Sequence, residues 1–197
     1  MKRLVVGAVL GGFVLFLWGA LSHEVLPLGR AGLRAMPPEQ EAAVLLAMRG
    51  AMSERAVYIF PGLDPSRPMS EADQTTWTEK WQSGPGGIVA FDPHPGQRAW
   101  AGSLFATLFA TELLTNVLAA LVAGFVLLHV PASMGYGRRV LVTAALGLLV
   151  TLDVDASYWN WYGFPTSYFL AQLVDHTLGW LLAGLVLVRV IRSAHVA

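Results

Sequence analysis

The sequence predicts an α-helical membrane protein: four transmembrane helices with a small α+β extracytoplasmic domain between helices 1 and 2. Three observations carry this reading. Charged residues make up 13% of the chain and hydrophobic residues 55%, whereas a soluble domain has roughly a quarter of its residues charged. Four stretches are apolar over the roughly 20 residues that a helix needs to cross a bilayer. Basic residues near the ends of those stretches are arranged in one consistent sense.

The first span is Leu4 to Leu21, behind Lys2 and Arg3. Its basic start and Ala20-Leu21-Ser22 also fit a cleaved signal peptide. The length of the run and the helix-packing pattern Gly7-x-x-x-Gly11 favour a retained helix. The second span is about 104–128, the third about 140–158 and the fourth about 168–191. Arg138 and Arg139 lie between spans two and three, and Arg189 and Arg192 close span four. These flanks hold six basic residues and no acidic one, while Ser22 to Trp100 holds seven basic and nine acidic residues. Both termini and the 131–139 loop are therefore expected on the cytoplasmic side. Tyr158, Trp159, Trp161, Tyr162 and Phe164 form an aromatic belt for the outer interface, with Trp18 and Trp100 at the same level.

Residues 22–100 carry structure of their own. Pro37-Pro38-Glu39 opens a helix that continues to Met48. Ala56 to Phe60 reads as a short buried strand stopped by Pro61-Gly62. Ser70 caps a second helix ending near Gln82, with Trp77 and Trp81 one turn apart and expected to be buried. Ile88 to Phe91 is a second strand. Two strands alone are not independently stable, so this domain is expected to rest on the spans, the membrane surface or a partner.

Composition excludes several chemistries. The chain has no cysteine, which removes disulfides, thiolate metal sites and a thiol nucleophile. Net charge is zero, which gives no basis for nucleic-acid binding. No nucleotide loop or serine elbow is present. His129 and His176 lie at opposite depths, so a bis-histidine haem is disfavoured. His23 and His94 lack the spacing of a zinc site. No cofactor or metal is expected.

What remains is polar chemistry inside the spans. Four of the thirteen acids, Glu112, Asp153, Asp155 and Asp175, lie there. Each intramembrane carboxylate costs about 2.5–3.5 kcal/mol on insertion scales. Asp153 sits near the interface and is expected to be solvated. Glu112 and Asp175 lie about two turns inside spans two and four, at similar depth. Helical geometry places Glu112, Thr115, Asn116, Ala119, Ala120 and Ala123 on one face, and Gln172, Asp175, His176, Gly179 and Ala183 on another. Thr143, Gly147, Thr151 and Asp155 make a third. The candidate intramembrane polar site is thus Glu112, Asn116, Asp155, Gln172, Asp175 and His176. It reads either as a proton or cation site or as protonated acids hydrogen-bonded for structure.

The run from Ser157 to Pro165, with Asp175 and Gly179-Trp180-Leu181-Leu182-Ala183-Gly184, resembles a functionally unassigned group of small bacterial four-span inner-membrane proteins. Phe16-Leu17-Trp18-Gly19 is similar to the same group. The resemblance implies a bacterial inner membrane and carries no activity with it. On sequence alone the leading expectation is a non-enzymatic accessory or assembly factor, working in the lipid bilayer through a membrane-protein partner or as a homo-oligomer. The alternative is a membrane enzyme or ion-coupled carrier using the intramembrane carboxylates and His176. A water-filled cavity beside the polar stripe favours the second, and a dry stripe the first.

Overall fold

Long apolar runs separated by proline and glycine give long helices. The computed structural model describes residues 1–63, 66–95 and 103–191, so Trp100 and Arg192 lie outside the described residues. The described residues are 75% helical, with four helices apolar enough to span a membrane and a small two-stranded sheet. It divides into two units: Met1–Leu33, Ala99–Trp159 and Phe164–Ala197 form the larger, and Arg34–Arg98 with Asn160–Gly163 the smaller. Residues 22–33, expected in the external domain, thus group with the helices.

In the larger unit, α1 (Lys2–Ala20) runs on through a π-helical turn, Leu21–Val25. Helix α4 is Leu104–His129. Helix α5 (Tyr136–Val150) also passes into a π-helical turn, Thr151–Asp155, and then into the short α6, Ala156–Tyr162. Helix α7 is Thr166–Val190. The apolar helical stretches measure 24, 26, 27 and 25 residues, each long enough to cross hydrocarbon with some tilt. Their outward faces carry Val5, Val9, Phe13, Phe105, Phe109, Val122, Leu141, Leu149, Leu170 and Val174, all exposed within the chain. An apolar surface this continuous is matched by lipid rather than water.

Small residues decide how the helices meet. A Cβ on Gly7 would lie 2.9 Å from Ile191, and one on Gly11 2.9 Å from Leu187. The Gly7-x-x-x-Gly11 stripe is therefore the seam along which α1 packs on α7. Gly12 faces α4, where an added Cβ would come within 2.5 Å of the Val117 Cα. Helix α7 packs in turn on α5, where Gly147 abuts the His176 carbonyl and Gly184 abuts the Thr143 hydroxyl. Towards one end of the bundle an apolar cluster forms the core: Leu4, Ala120, Leu127, Val140, Ala183, Leu187 and Ile191 are buried together.

Arg139, expected in a loop, stands instead in the first turn of α5, because the helix begins at Tyr136. It is 6% exposed. Its Nη2 donates to the carbonyls of Leu127 (3.0 Å) and Ile191 (3.3 Å), the ends of α4 and α7. A guanidinium suits that place, since helix C-termini present unpaired carbonyls and the negative end of the dipole.

The smaller unit has the expected order of helix, strand, helix, strand. Helix α2 is Pro38–Ala51 and α3 is Glu71–Ser83. Strands β1 (Ala56–Phe60) and β2 (Gly87–Phe91) pair antiparallel, with Tyr58 opposite Val89. Ser70 caps α3 reciprocally with Asp73, which also holds Arg67 in a bidentate pair at 2.6 and 2.8 Å. Burial departs from expectation. Val57 and Ile59 are 61% and 55% exposed and Trp81 is 48% exposed. Trp77 is half-buried, stacks on Trp81 at 5.6 Å and donates to the Pro61 carbonyl. A two-stranded ribbon has one partner per strand and no second layer, so its apolar side chains stay open. No described residue of this unit is buried.

Candidate functional site

Away from the apolar end, the same bundle turns polar. Helices α1, α4 and α7 part around a cavity of about 280 Å³. It is lined by Leu15, Trp18, Gly19 and His23 from α1 and its π turn, by Glu112 and Asn116 from α4, and by Gln172, Asp175, His176, Gly179 and Trp180 from α7. A water's share of liquid volume is about 30 Å³, so the space admits several waters or a small solute. It is small beside ordinary ligand pockets of about 300–1,000 Å³.

Each carboxylate is held differently. Glu112 is exposed to the cavity side and accepts a hydrogen bond from Asn116 Nδ2 at 3.2 Å, one helical turn on. Asp175 is 7% exposed, and its Oδ1 has no hydrogen-bond partner among the described residues. A buried carboxylate oxygen without a donor is a costly group to leave unmet. The backbone carbonyl of Asp175 is met: the Trp18 indole N–H donates to it at 3.0 Å. Gly179 makes that possible, because a Cβ there would lie 2.8 Å from the Trp18 ring.

His176 joins the cavity to α5. Its Nδ1 lies 3.0 Å from the Thr151 hydroxyl and 3.3 Å from Asp155 Oδ2. The Asp155 contact is at ion-pair distance rather than a formed hydrogen bond, since Oδ2 lacks a hydrogen-bond partner among the described residues. Thr151 also reaches the carbonyls of Gly147 (3.3 Å) and Gln172 (3.4 Å) and is fully buried. With hydroxyl and carboxylate oxygens at Nδ1, that nitrogen is placed to donate. Thr151 and Asp155 bound the π turn, which widens the helix and aims both at α7. Such turns recur where function re-aims side chains.

Five of the six residues expected at the polar site, Glu112, Asn116, Gln172, Asp175 and His176, thus line one cavity. The sixth, Asp155, does not line it but stands behind His176. Asp153 is exposed. Among the described residues, no cluster of three or more histidines and acids is arranged to hold a metal ion. Sequence reasoning missed Trp18, His23 and Trp180 as lining residues. Trp18 had been placed in the interfacial belt, and His23 considered only for zinc. The position of Trp18, one turn from Leu15 and two from Gly11 on the packing side of α1, is the available signal.

Comparison with known proteins finds no matching protein family, no matching curated protein and no matching solved structure.

Proposed function

We propose that this chain is an integral protein of a bacterial inner membrane with both termini cytoplasmic, whose polar cavity binds a small solute and exchanges a proton with it. The observation that carries the reading is the pairing of a polar cavity at one end of the bundle with a buried core at the other that is apolar apart from Thr143 and Arg139. Access from one face suits an enzyme or solute-binding site better than a carrier, which needs a path through Leu127, Leu187 and Ile191. His176 is the proton acceptor through Nε2, with Asp155 and Thr151 fixing the tautomer and stabilising the imidazolium. Glu112 and Asp175 are the acidic partners. The basic flanks of the spans direct the polar end outward.

Gly19 gives a direct test. It lines the cavity, and a Cβ added there meets nothing within 4 Å. In this cysteine-free chain, Gly19→Cys is expected to react with a membrane-impermeant methanethiosulfonate applied to the external face of sealed vesicles. Leu17→Cys, on a 51% exposed apolar face, should stay unmodified. Reaction at position 19 from the cytoplasmic face would reverse the orientation. Reaction from both faces would replace the one-sided site with a through path, and no reaction would mean a dry, structural cluster.

The accessory-factor reading has one observation in its favour. The smaller unit has no buried described residue, and its helix α2 leaves Leu46 73% exposed. A unit with so little core gains its stability from contact with something else.

A further inference from the structure

We infer that the solute taken by this cavity is a small organic ammonium ion, a protonated amine whose N–H supplies the proton exchanged. The inference rests on the cavity being a ligand site and adds the chemical class.

Charge comes first. Two carboxylates, Glu112 and Asp175, line the space, and neither lysine nor arginine does. One histidine, His176, has the Thr151 hydroxyl and the Asp155 carboxylate at its Nδ1, so Asp155 faces any positive charge on the ring. The other, His23, has its Nδ1 engaged by Ser22 (2.9 Å) and by the Gly19 carbonyl (3.1 Å). The wall therefore suits a cation and repels an anion.

A pair of acids alone would not specify a ligand, because mutual hydrogen bonding can neutralise them. Here Asp175 is 93% buried (7% exposed), and its Oδ1 has no donor among the described residues. The carboxylate that carries this unmet oxygen lines the cavity. An ammonium in the cavity would offset its charge.

The aromatic walls then separate an organic cation from a metal ion. Trp18 and Trp180 line the same space. Each indole is pinned at a glycine on a neighbouring helix, Trp18 at Gly179 and Trp180 at Gly147, with an added Cβ 2.8 Å away in both cases. Fixed indoles are the strongest cation–π partners among side chains. Hard inorganic cations instead want several oxygen ligands in a closed shell. About 280 Å³ with fixed indole walls matches a small alkylammonium.

The test uses the full-length Gly19→Cys chain in sealed vesicles. Two thiol reagents of similar size are compared from the external face: the trimethylammonioethyl and the sulfonatoethyl methanethiosulfonates. Each rate is divided by its rate on a free thiol in solution. The cationic reagent should be favoured by about tenfold or more, as expected for unit charges a few ångströms apart in a partly dry site. Tetramethylammonium should slow the reaction of the neutral methyl reagent, and 1-pentanol should not. Glu112→Gln, at an exposed position that tolerates an amide, should reduce the charge preference, and adding Asp175→Asn should abolish it. Equal rates for the two charged reagents, or a preference unchanged by Glu112→Gln, would overturn the ammonium assignment while leaving a water-accessible cavity. Failure of all three reagents to react would remove the cavity reading and the ligand class together.

Discussion

Gly147→Ala isolates how the α5–α7 seam supports the site. A Cβ at this position abuts the carbonyl oxygen of His176 and comes within 2.8 Å of both the His176 carbonyl carbon and Trp180 Cδ1. Ordinary van der Waals contact begins near 3.4 Å, so the two helices must part by at least roughly 0.6 Å (3.4 − 2.8), and further to clear the carbonyl oxygen. The obstacle is backbone, which cannot rotate aside. A gap of that size forfeits about a quarter of the dispersion energy along the seam, and overpacking of this kind costs about 1–3 kcal/mol. Helix propensity acts the other way, favouring alanine by up to about 1 kcal/mol. The net expectation is a loss of up to about 2 kcal/mol, together with a longer reach from Thr151 to His176. Gly137→Ala, also in α5 with nothing within 4 Å of its Cβ, is the matched control and should be neutral or stabilising. Reversible unfolding in mixed micelles with increasing sodium dodecyl sulfate, followed by helical circular dichroism, gives both numbers. A Gly147→Ala chain as stable as its parent would show that the seam yields, and that its close approach does not hold His176 in place.

Two further substitutions test features of the two units. Arg139→Leu strips the donors from the carbonyls of Leu127 and Ile191 and should cost about 1.5–3 kcal/mol in the same unfolding assay; Arg139→Lys should recover part of that loss, and an unaffected leucine variant would contradict the capping role. Asp73 is held well below the usual carboxylate range by hydrogen bonds from Arg67 and then Ser70. Because its folded-state pKa is depressed, its contribution is present at neutral pH and is lost as the pH falls below about 4 towards that lower value. Amide hydrogen exchange in the first turn of α3 should therefore quicken on acidification, and Asp73→Ala should be insensitive to pH over that range.

Much of this architecture is legible in the sequence because it depends on composition and local pattern. The four apolar runs, the Ser70 cap and the Ala56–Phe60 strand are all of that kind, and the structure reproduces them closely. Gly7-x-x-x-Gly11 also reads correctly, since only small residues permit so close a helix crossing. The π turns are invisible in sequence, because Leu21–Val25 and Thr151–Asp155 differ from ordinary helix only in which carbonyl each amide finds. The depth of Glu112 and Asp175 could be counted along their helices, and both reach one cavity. The separation of Asp155 from that cavity could not, since it depends on the crossing of α5 and α7. Trp81 stays exposed for a complementary reason: apolar composition asks for burial, but this unit has no second layer to provide it.

The two carbonyls that Arg139 grips belong to helices made at different times. Helices α4 and α5 emerge from the ribosome as a hairpin, and α7 follows after the aromatic run at 157–165. Without α7 in place, the guanidinium keeps only the Leu127 carbonyl of these two contacts. The arrival of Ile191 completes the contact and draws the end of α7 alongside α1, where Gly7 and Gly11 receive it. A single buried arginine thereby ties the ends of three helices, α4, α5 and α7, at one point.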